Sequence, residues 1–141
     1  MSLVPSRPST LLPVLLTLGV LTAACGGAAC PDADTVEQYR TELFFGLSRG
    51  DNPPVTEAEW RDFVDTSVTP RFREGLTVYD AKGQYLLENG TLVHEDSKVI
   101  LLIHDGSSAH FQGIDALSEE YKQRFQQESV LRVDSLSCVR F

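Results

Sequence analysis

Hydrophobic and polar residues alternate along residues 39–47, which is the pattern of a half-buried β-strand. One face of this predicted strand is mostly apolar and would point into a core. Its members are Tyr39, Thr41, Leu43, Phe45 and Leu47. The opposite face would carry Arg40, Glu42 and Phe44. We therefore predict a first strand with one buried face and one open face.

A first helix is predicted to begin at the segment Thr56-Glu57-Ala58-Glu59. This segment has the form of a capping box, in which the Thr hydroxyl and the Glu carboxylate each bond to the other residue's backbone N–H. Apolar residues then recur at helical spacing. They are Trp60, Phe63, Val64 and Val68. Pro70 would end the helix.

Two segments that are apolar at both ends, 76–87 and 92–104, flank Asn89-Gly90, a dipeptide that favours two-residue hairpin turns. Such a turn would pair residues whose numbers sum to 179. It would set Val78 opposite Leu101, for example, and place residues 99, 101 and 103 on the core side. The outer part of the hairpin, residues 81–96, is predicted to project past the sheet as an arm.

Ser107 or Ser108 is expected to cap a second helix that ends near Gln126. Apolar residues recur along it at helical spacing. They are Phe111, Ile114, Leu117, Tyr121 and Phe125. A last strand over residues 128–133 would turn Leu131 and Val133 inward. The order β-α-β-β-α-β predicts an α+β, ferredoxin-like fold, with an antiparallel four-stranded sheet and two helices on one face.

The N-terminal segment has the features of a lipoprotein signal peptide. Arg7 precedes an apolar run over residues 11–21, and three small residues precede Cys25. We predict a signal peptide over 1–24, a tether over 25–38 that is lipidated at Cys25, and a ferredoxin-like domain over 39–141. The alternative is an ordinary secretory peptide that is cleaved after Ala24 or Ala29.

Lipidation would place the protein in a bacterial cell envelope, anchored in the membrane at the periplasmic face. Gly26 is not the aspartate that retains many lipoproteins at the inner membrane, so the outer membrane is favoured if the source is Gram-negative. The net charge of −8 argues against a nucleic-acid partner. The membrane is the expected partner, reached through the acyl chains.

Besides Cys25, the chain has two cysteines, Cys30 and Cys138. The oxidising compartment predicts a disulfide between them, and two unbridged thiols are the alternative. An iron–sulfur cluster is not expected despite the name of the fold, because such clusters need more thiolates than these two cysteines offer.

Several segments resemble the bacterial family called domain of unknown function 3574. They are RTELFFGL at 40–47, TPRF at 69–72, GLTV at 75–78 and QESVLRV at 127–133. The resemblance implies an exported bacterial protein, often a lipoprotein. It implies no activity and identifies no catalytic residues.

The open face of the sheet is the main candidate site. Its predicted members are Arg40, Glu42, Phe44, Thr77, Tyr79, Lys98, Ile100, Leu102, Val130 and Arg132. Because exposed apolar patches often mark partner sites, we predict a binding or assembly module that forms a homodimer through this face.

The alternative is a small enzyme, or a binder of an anion or a carboxylate, with a pocket on the same face. Arg40, Glu42, Lys98 and Arg132 would supply its polar groups. The same charges could instead form structural ion pairs. Catalytic residues are unknown, and no cofactor is expected.

The loop from His104 to His110 also contains Asp105 and Ser107. It lacks the nucleophile elbow of many hydrolases, so a catalytic triad is not predicted. The two histidines show no HExxH spacing, so no metal site is expected either.

Overall fold

The structure is a computed structural model that describes residues 30–141. It contains the predicted order of elements. They are β1 (Val36–Gly46), α1 (Glu57–Phe63), β2 (Thr77–Leu86), β3 (Leu92–His104), α2 (Ser108–Phe125) and β4 (Leu131–Val139). The strands form one antiparallel sheet in the order β2-β3-β1-β4. The ferredoxin-like prediction is confirmed.

Both helices pack on one face of the sheet through a cluster of aromatic rings. Phe45 of β1 lies with its ring centroid 5.3 Å from Trp60, 5.8 Å from Phe63 and 4.6 Å from Tyr121. The Tyr121 hydroxyl donates a 2.8 Å hydrogen bond to the carbonyl of Gly46. Burial raises the pKa of Tyr121, so this hydroxyl keeps its proton.

The predicted helix starts are confirmed. Thr56 and Glu59 form the capping box at α1, and Ser107 caps α2. Beyond α1 the chain continues as a π-helical turn over Val64–Val68, closed by a 2.9 Å bond from Thr69 N–H to the carbonyl of Val64. At α2, Gln126 ends the helix with a φ of 52°.

The predicted two-residue hairpin turn is wrong. The carbonyl of Leu87 accepts from the N–H of Gly90, and the Leu87 N–H donates to the carbonyl of Thr91, both at 2.9 Å. The turn therefore has three residues, with Gly90 at a φ of +83°. The cause is that Asn-Gly suits both turn types, and a type I turn followed by a left-handed glycine is the usual three-residue solution.

The extra residue in the turn shifts the register by one. The numbers of paired residues therefore sum to 178 instead of 179, as for Thr77 and Leu101. A shift of one residue exchanges the two faces of a strand. On β3, Ile100 and Leu102 are therefore buried in the core, and Leu101 and Ile103 lie on the open face. The predicted core side of β3 is wrong.

The predicted inward face of β4 is also wrong. Leu131 pairs with Phe44 and is 60% exposed, and Val133 pairs with Glu42 and is 43% exposed. Val130, just before the strand, packs against the core instead. The strand also begins at Leu131 instead of residue 128 and extends past residue 133 to Val139.

The predicted disulfide between Cys30 and Cys138 is present, with 5.5 Å between the Cα atoms. It joins the segment before β1 to the end of β4. The lipidation site at Cys25 and the predicted signal peptide lie outside the described residues. Within 30–141, neither helix has the length and apolar character that crossing a membrane requires.

The predicted arm is confirmed. β1 pairs with β3 only from Ser97 to His104, so residues 92–96 have β2 as their one neighbouring strand. Large apolar side chains on the arm are exposed. They are Tyr85, Leu86, Leu87 and Leu92.

Candidate functional site

The open face of the sheet carries two rows of side chains that cross all four strands, the first apolar and the second mixed. The first row is Tyr79, Val99, Phe44 and Leu131, and the second is Thr77, Leu101, Glu42 and Val133. Val99 is fully buried although it is not part of the core between the sheet and the helices. Its neighbours on this face, Phe44 and Tyr79, therefore cover it.

Glu42 is the charged residue at the centre of these rows. Its Oε1 accepts a 2.6 Å hydrogen bond from the Tyr79 hydroxyl and a 3.0 Å bond from the Arg40 guanidinium. Only 18% of the Glu42 side chain is exposed. No residue within 30–141 donates a hydrogen bond to its second oxygen, Oε2. The carboxylate is thus held in place with one oxygen available to a ligand or a partner.

The bond to Glu42 raises the pKa of the Tyr79 phenol. The neutral hydroxyl is the donor, and a phenolate beside the carboxylate would be repelled. The Arg40, Glu42 and Tyr79 side chains therefore form a connected group, which we call the Glu42 cluster. Tyr79 was predicted to lie on this face, but the alternation pattern gave no reason to join it to Glu42.

The structure does not bring Lys98 and Arg132 to the Glu42 cluster, because both lie on the helix side of the sheet. Lys98 bonds to Glu57 of α1 at 2.8 Å and to Asp80 of β2 at 2.6 Å. These hydrogen bonds raise the pKa of Lys98, whose side chain is only 12% exposed. The lysine therefore ties the hairpin to α1.

Arg132 likewise ties β4 to α2. Its guanidinium bonds to Asp115 at 2.9 Å and lies 4.9 Å from the centre of the Phe111 ring. Asp134 Oδ2 is 2.8 Å from its Nε. For Lys98 and Arg132, the structure agrees with the alternative of structural ion pairs.

A cleft of about 560 Å³ opens beside Lys98, where the arm leaves the sheet. Its polar lining consists of Glu57, Asp80, Lys82, Asp96, Ser97 and Lys98. Lys82 and Asp96 are paired at 2.6 Å, and Lys98 already holds two carboxylates. The cleft thus offers paired charges, and it lies away from the Glu42 cluster.

The loop before α2 brings together a second set of polar side chains. His110 Nδ1 is 2.7 Å from Asp105 Oδ1 and 2.9 Å from Ser107 Oγ. A catalytic triad needs the acid and the serine on opposite ring nitrogens, so this geometry is not that of a serine hydrolase. Hydrogen bonds from the Ser107 backbone and from His110 lower the pKa of Asp105 to about 2.

His104, at the end of β3, is buried beside this loop. Its Nε2 is 2.9 Å from Thr41 Oγ1, and the Thr41 hydroxyl donates to Asp134 Oδ1 at 2.5 Å. Burial, followed by the nearby charge of His110, lowers the pKa of His104. The imidazole is therefore neutral near pH 7.

A family model described as protein of unknown function (DUF3574) matches residues 40–141. The chain belongs to this family. The resemblance found in the sequence is therefore confirmed. No curated protein matches the chain.

Solved structures with a similar fold include a phage SAM lyase in complex with S-methyl-5′-thioadenosine. It is 25% identical and has a TM-score of 0.52, over 74% of this chain and 90% of the lyase. The same lyase in its apo state is 26% identical, with the same TM-score and the same shares covered. CutA from Synechococcus elongatus is 14% identical, with a TM-score of 0.48 over 74% of this chain and 86% of CutA.

Proposed function

We propose that this DUF3574 protein is a lipid-anchored module of the bacterial cell envelope that self-associates through its open sheet face. The anchor is supported by the sequence from Leu21 to Cys25. The disulfide begins at Cys30, so only residues 26–29 separate it from the proposed lipid. The domain would therefore sit close to the bilayer surface.

The observation that carries self-association is the apolar character of the open face. Leu131 and Val133 are exposed there beside half-buried Phe44 and Leu101. Contiguous apolar patches on soluble proteins commonly mark interfaces. The arm adds further exposed apolar side chains at one end of the sheet.

The charges at the centre of this face are paired within the chain. Glu42 is paired with Arg40 and with the Tyr79 hydroxyl inside the same chain. A buried charge that has lost its partner is strongly destabilising, and the pairing of Glu42 offsets part of the cost of removing it from water. A second copy could cover the face without leaving an isolated charge.

Sedimentation velocity of the delipidated protein at increasing concentration tests self-association. Leu131→Glu and Val133→Glu place new charges on the open face and should shift the protein to monomer. Gln123→Glu adds the same charge on the exposed side of α2 and should change nothing. A strict monomer at high micromolar concentration, or equal behaviour of all three variants, contradicts the proposal.

A second candidate function, ligand binding or catalysis on the same face, is favoured by Glu42. One of its carboxylate oxygens, Oε2, accepts no hydrogen bond from residues 30–141. The lyase with a similar fold was solved with a bound thioadenosine, and SAM itself carries a cationic sulfonium. A carboxylate on an apolar face suits a cationic ligand of this class.

Calorimetric titration with SAM and with S-methyl-5′-thioadenosine tests this second function. Binding of either should weaken in Glu42→Gln and in Tyr79→Phe, and it should persist in Tyr85→Phe on the arm. Product analysis after incubation with SAM would distinguish an enzyme from a binder. Absence of binding to wild-type protein, in both its monomeric and its associated form, contradicts the second function and leaves the first intact.

A further inference from the structure

His104, Asp105 and His110 form a cluster on the side of the sheet that faces the helices, separate from the Glu42 cluster. Each residue offers one possible metal-ligand atom, and these three atoms lie within 4.8 Å of one another. His104 is buried at the end of β3, His110 is half-buried in the first turn of α2, and Asp105 lies in the loop between them. The fold thus brings two imidazoles and a carboxylate close together.

The hydrogen bonds of His104 orient one ring nitrogen toward this cluster. Nδ1 accepts a 3.2 Å bond from the N–H of Gly106 and therefore carries the lone pair. Nε2 then holds the proton and donates to Thr41, which donates in turn to Asp134. Imidazole ligands of metals are commonly held this way, with the outer nitrogen bonded through to a carboxylate.

His110 differs from His104, because its Nδ1 donates a hydrogen bond to the Asp105 carboxylate. Its Nε2 is 3.9 Å from the Glu74 carboxylate, and its Nδ1 is 2.7 Å from Asp105 Oδ1. A cation bound at Nδ1 of His110 would displace that proton, and Nε2, which faces Glu74, would carry the remaining one. Nε2 of His104 is bonded to Thr41, so Nδ1 is the nitrogen that this ring can offer to an ion.

Aromatic side chains hold both imidazole rings in place. Tyr39 stacks on His104 with 5.7 Å between centroids, and Phe111 meets the same ring edge-on at 5.3 Å. Phe72 stacks on His110 at 6.2 Å. Such packing pre-orients ligand side chains, which a precise metal site requires.

We propose that Nδ1 of His104, Nδ1 of His110 and the carboxylate of Asp105 bind a divalent transition-metal ion, Zn²⁺ or one of similar preference. Two imidazoles and one carboxylate suit this class of ion, whereas Mg²⁺ and Ca²⁺ prefer oxygen ligands alone. Water would complete the coordination, since a site with three protein ligands keeps a position open.

Only small movements are needed to close the site. Tetrahedral bonds of about 2.0–2.2 Å place ligand atoms roughly 3.4 Å apart, so the most distant pair would approach by about 1.4 Å. Asp105 is 62% exposed and can rotate. The ion would replace the hydrogen bonds that His110 Nδ1 makes with Asp105 and Ser107, and the one that the Gly106 N–H donates to Nδ1 of His104. The sequence gave no expectation of this site, because its ligands follow no known metal-binding spacing.

Calorimetric titration of the full chain with Zn²⁺ tests the proposal. The titration uses protein without a polyhistidine tag, and Cys25→Ser removes the thiol that is not in the disulfide. His94, on the arm, provides the matched control because it is the one remaining histidine and lies outside the cluster. We expect one equivalent of Zn²⁺ in the parent protein and in His94→Ala.

His110→Ala should weaken Zn²⁺ binding by more than the roughly 10–100-fold typical of losing an outer-shell partner. Asp105→Asn keeps the loop's size and should also weaken binding, and thermal unfolding in EDTA should show that both variants fold. With Co²⁺ in place of Zn²⁺, visible absorption should report the imidazole ligands. The proposal is overturned if Zn²⁺ does not saturate one site, if His110→Ala binds as tightly as the parent, or if His94→Ala loses binding.

Discussion

The Tyr79 hydroxyl reaches from β2 to Glu42 on β1 and donates a 2.6 Å hydrogen bond across the intervening strand β3. Neighbouring strands lie about 4.8 Å apart, so the tyrosine side chain spans a full strand. In doing so it helps to cover Val99, which is fully buried on an otherwise open face. One side chain thus closes part of the face and orients its central carboxylate.

This bond predicts a pH response at Tyr79. Its pKa is raised, so the folded protein holds the phenol proton more tightly than the unfolded chain does. The bond's contribution to stability is present below a pH of about 10, the usual value for tyrosine, and is lost as pH rises through the folded-state value. Ring-carbon NMR should show Tyr79 titrating earlier in Glu42→Gln. The Tyr85 signal, from the arm, should not respond to that substitution, and an unchanged Tyr79 titration would refute the coupling.

Reduction of the disulfide should lower stability strongly. Cys30 and Cys138 are 108 residues apart, and closing so long a loop restricts the unfolded chain by about 4–5 kcal/mol in the chain-entropy description. We expect a large drop in the thermal unfolding midpoint in reductant and in Cys138→Ser. Cys25→Ser should leave the midpoint unchanged. Equal midpoints with and without confirmed reduction would contradict the prediction.

The ring cluster beneath the helices should dominate core stability. Phe63 is fully buried and lies against Phe45, Tyr121 and Phe125. Phe63→Ala should cost about 3–5 kcal/mol in the free energy of unfolding, measured in urea. Phe141→Ala is the control because Phe141 is fully exposed, and it should stay within about 0.5 kcal/mol of the parent. Similar losses in the two variants would be inconsistent with this core.

Gly106 should be irreplaceable because of Tyr39. A Cβ at Gly106 would lie 2.3 Å from the Tyr39 ring, and the residue has a φ of +72°. Gly90 has a similar positive φ, of +83°, but a Cβ there would meet nothing within 4 Å. Both alanine variants should lose about 1–3 kcal/mol of stability to backbone strain. Only Gly106→Ala should lose more, because its Cβ would also clash with the Tyr39 ring. Urea unfolding of the two variants measures the difference, and equal losses would argue against it.

Local signals in the sequence predicted most of the fold. Thr56 and Glu59 marked the start of α1 because a capping box satisfies backbone groups within four residues. Apolar spacing likewise identified the buried side of α2, where Ile114, Leu117, Tyr121 and Phe125 are all buried. The cysteine pairing followed from redox chemistry and number.

The register of the hairpin could not be predicted in the same way. Asn89-Gly90 is compatible with two turn types that differ by one residue, and apolar residues fill both faces of β3. Alternation therefore could not distinguish its core side from its open side. The third residue of the turn exchanges the two faces of β3. Lys98 therefore lies on the helix side of the sheet and not on the open face, where the candidate site was expected.

The sequence by itself determined the elements, their order, the helix caps and the disulfide, because each depends on residues close in the chain or on composition. Only the tertiary structure decided which side chains meet. The joining of Glu42 to Tyr79, the ion pairs of Arg132 and the approach of His104 to His110 depend on strand register and on a left-handed glycine in a loop. These contacts depend on how distant segments of the chain pack, so they cannot be predicted from local sequence patterns.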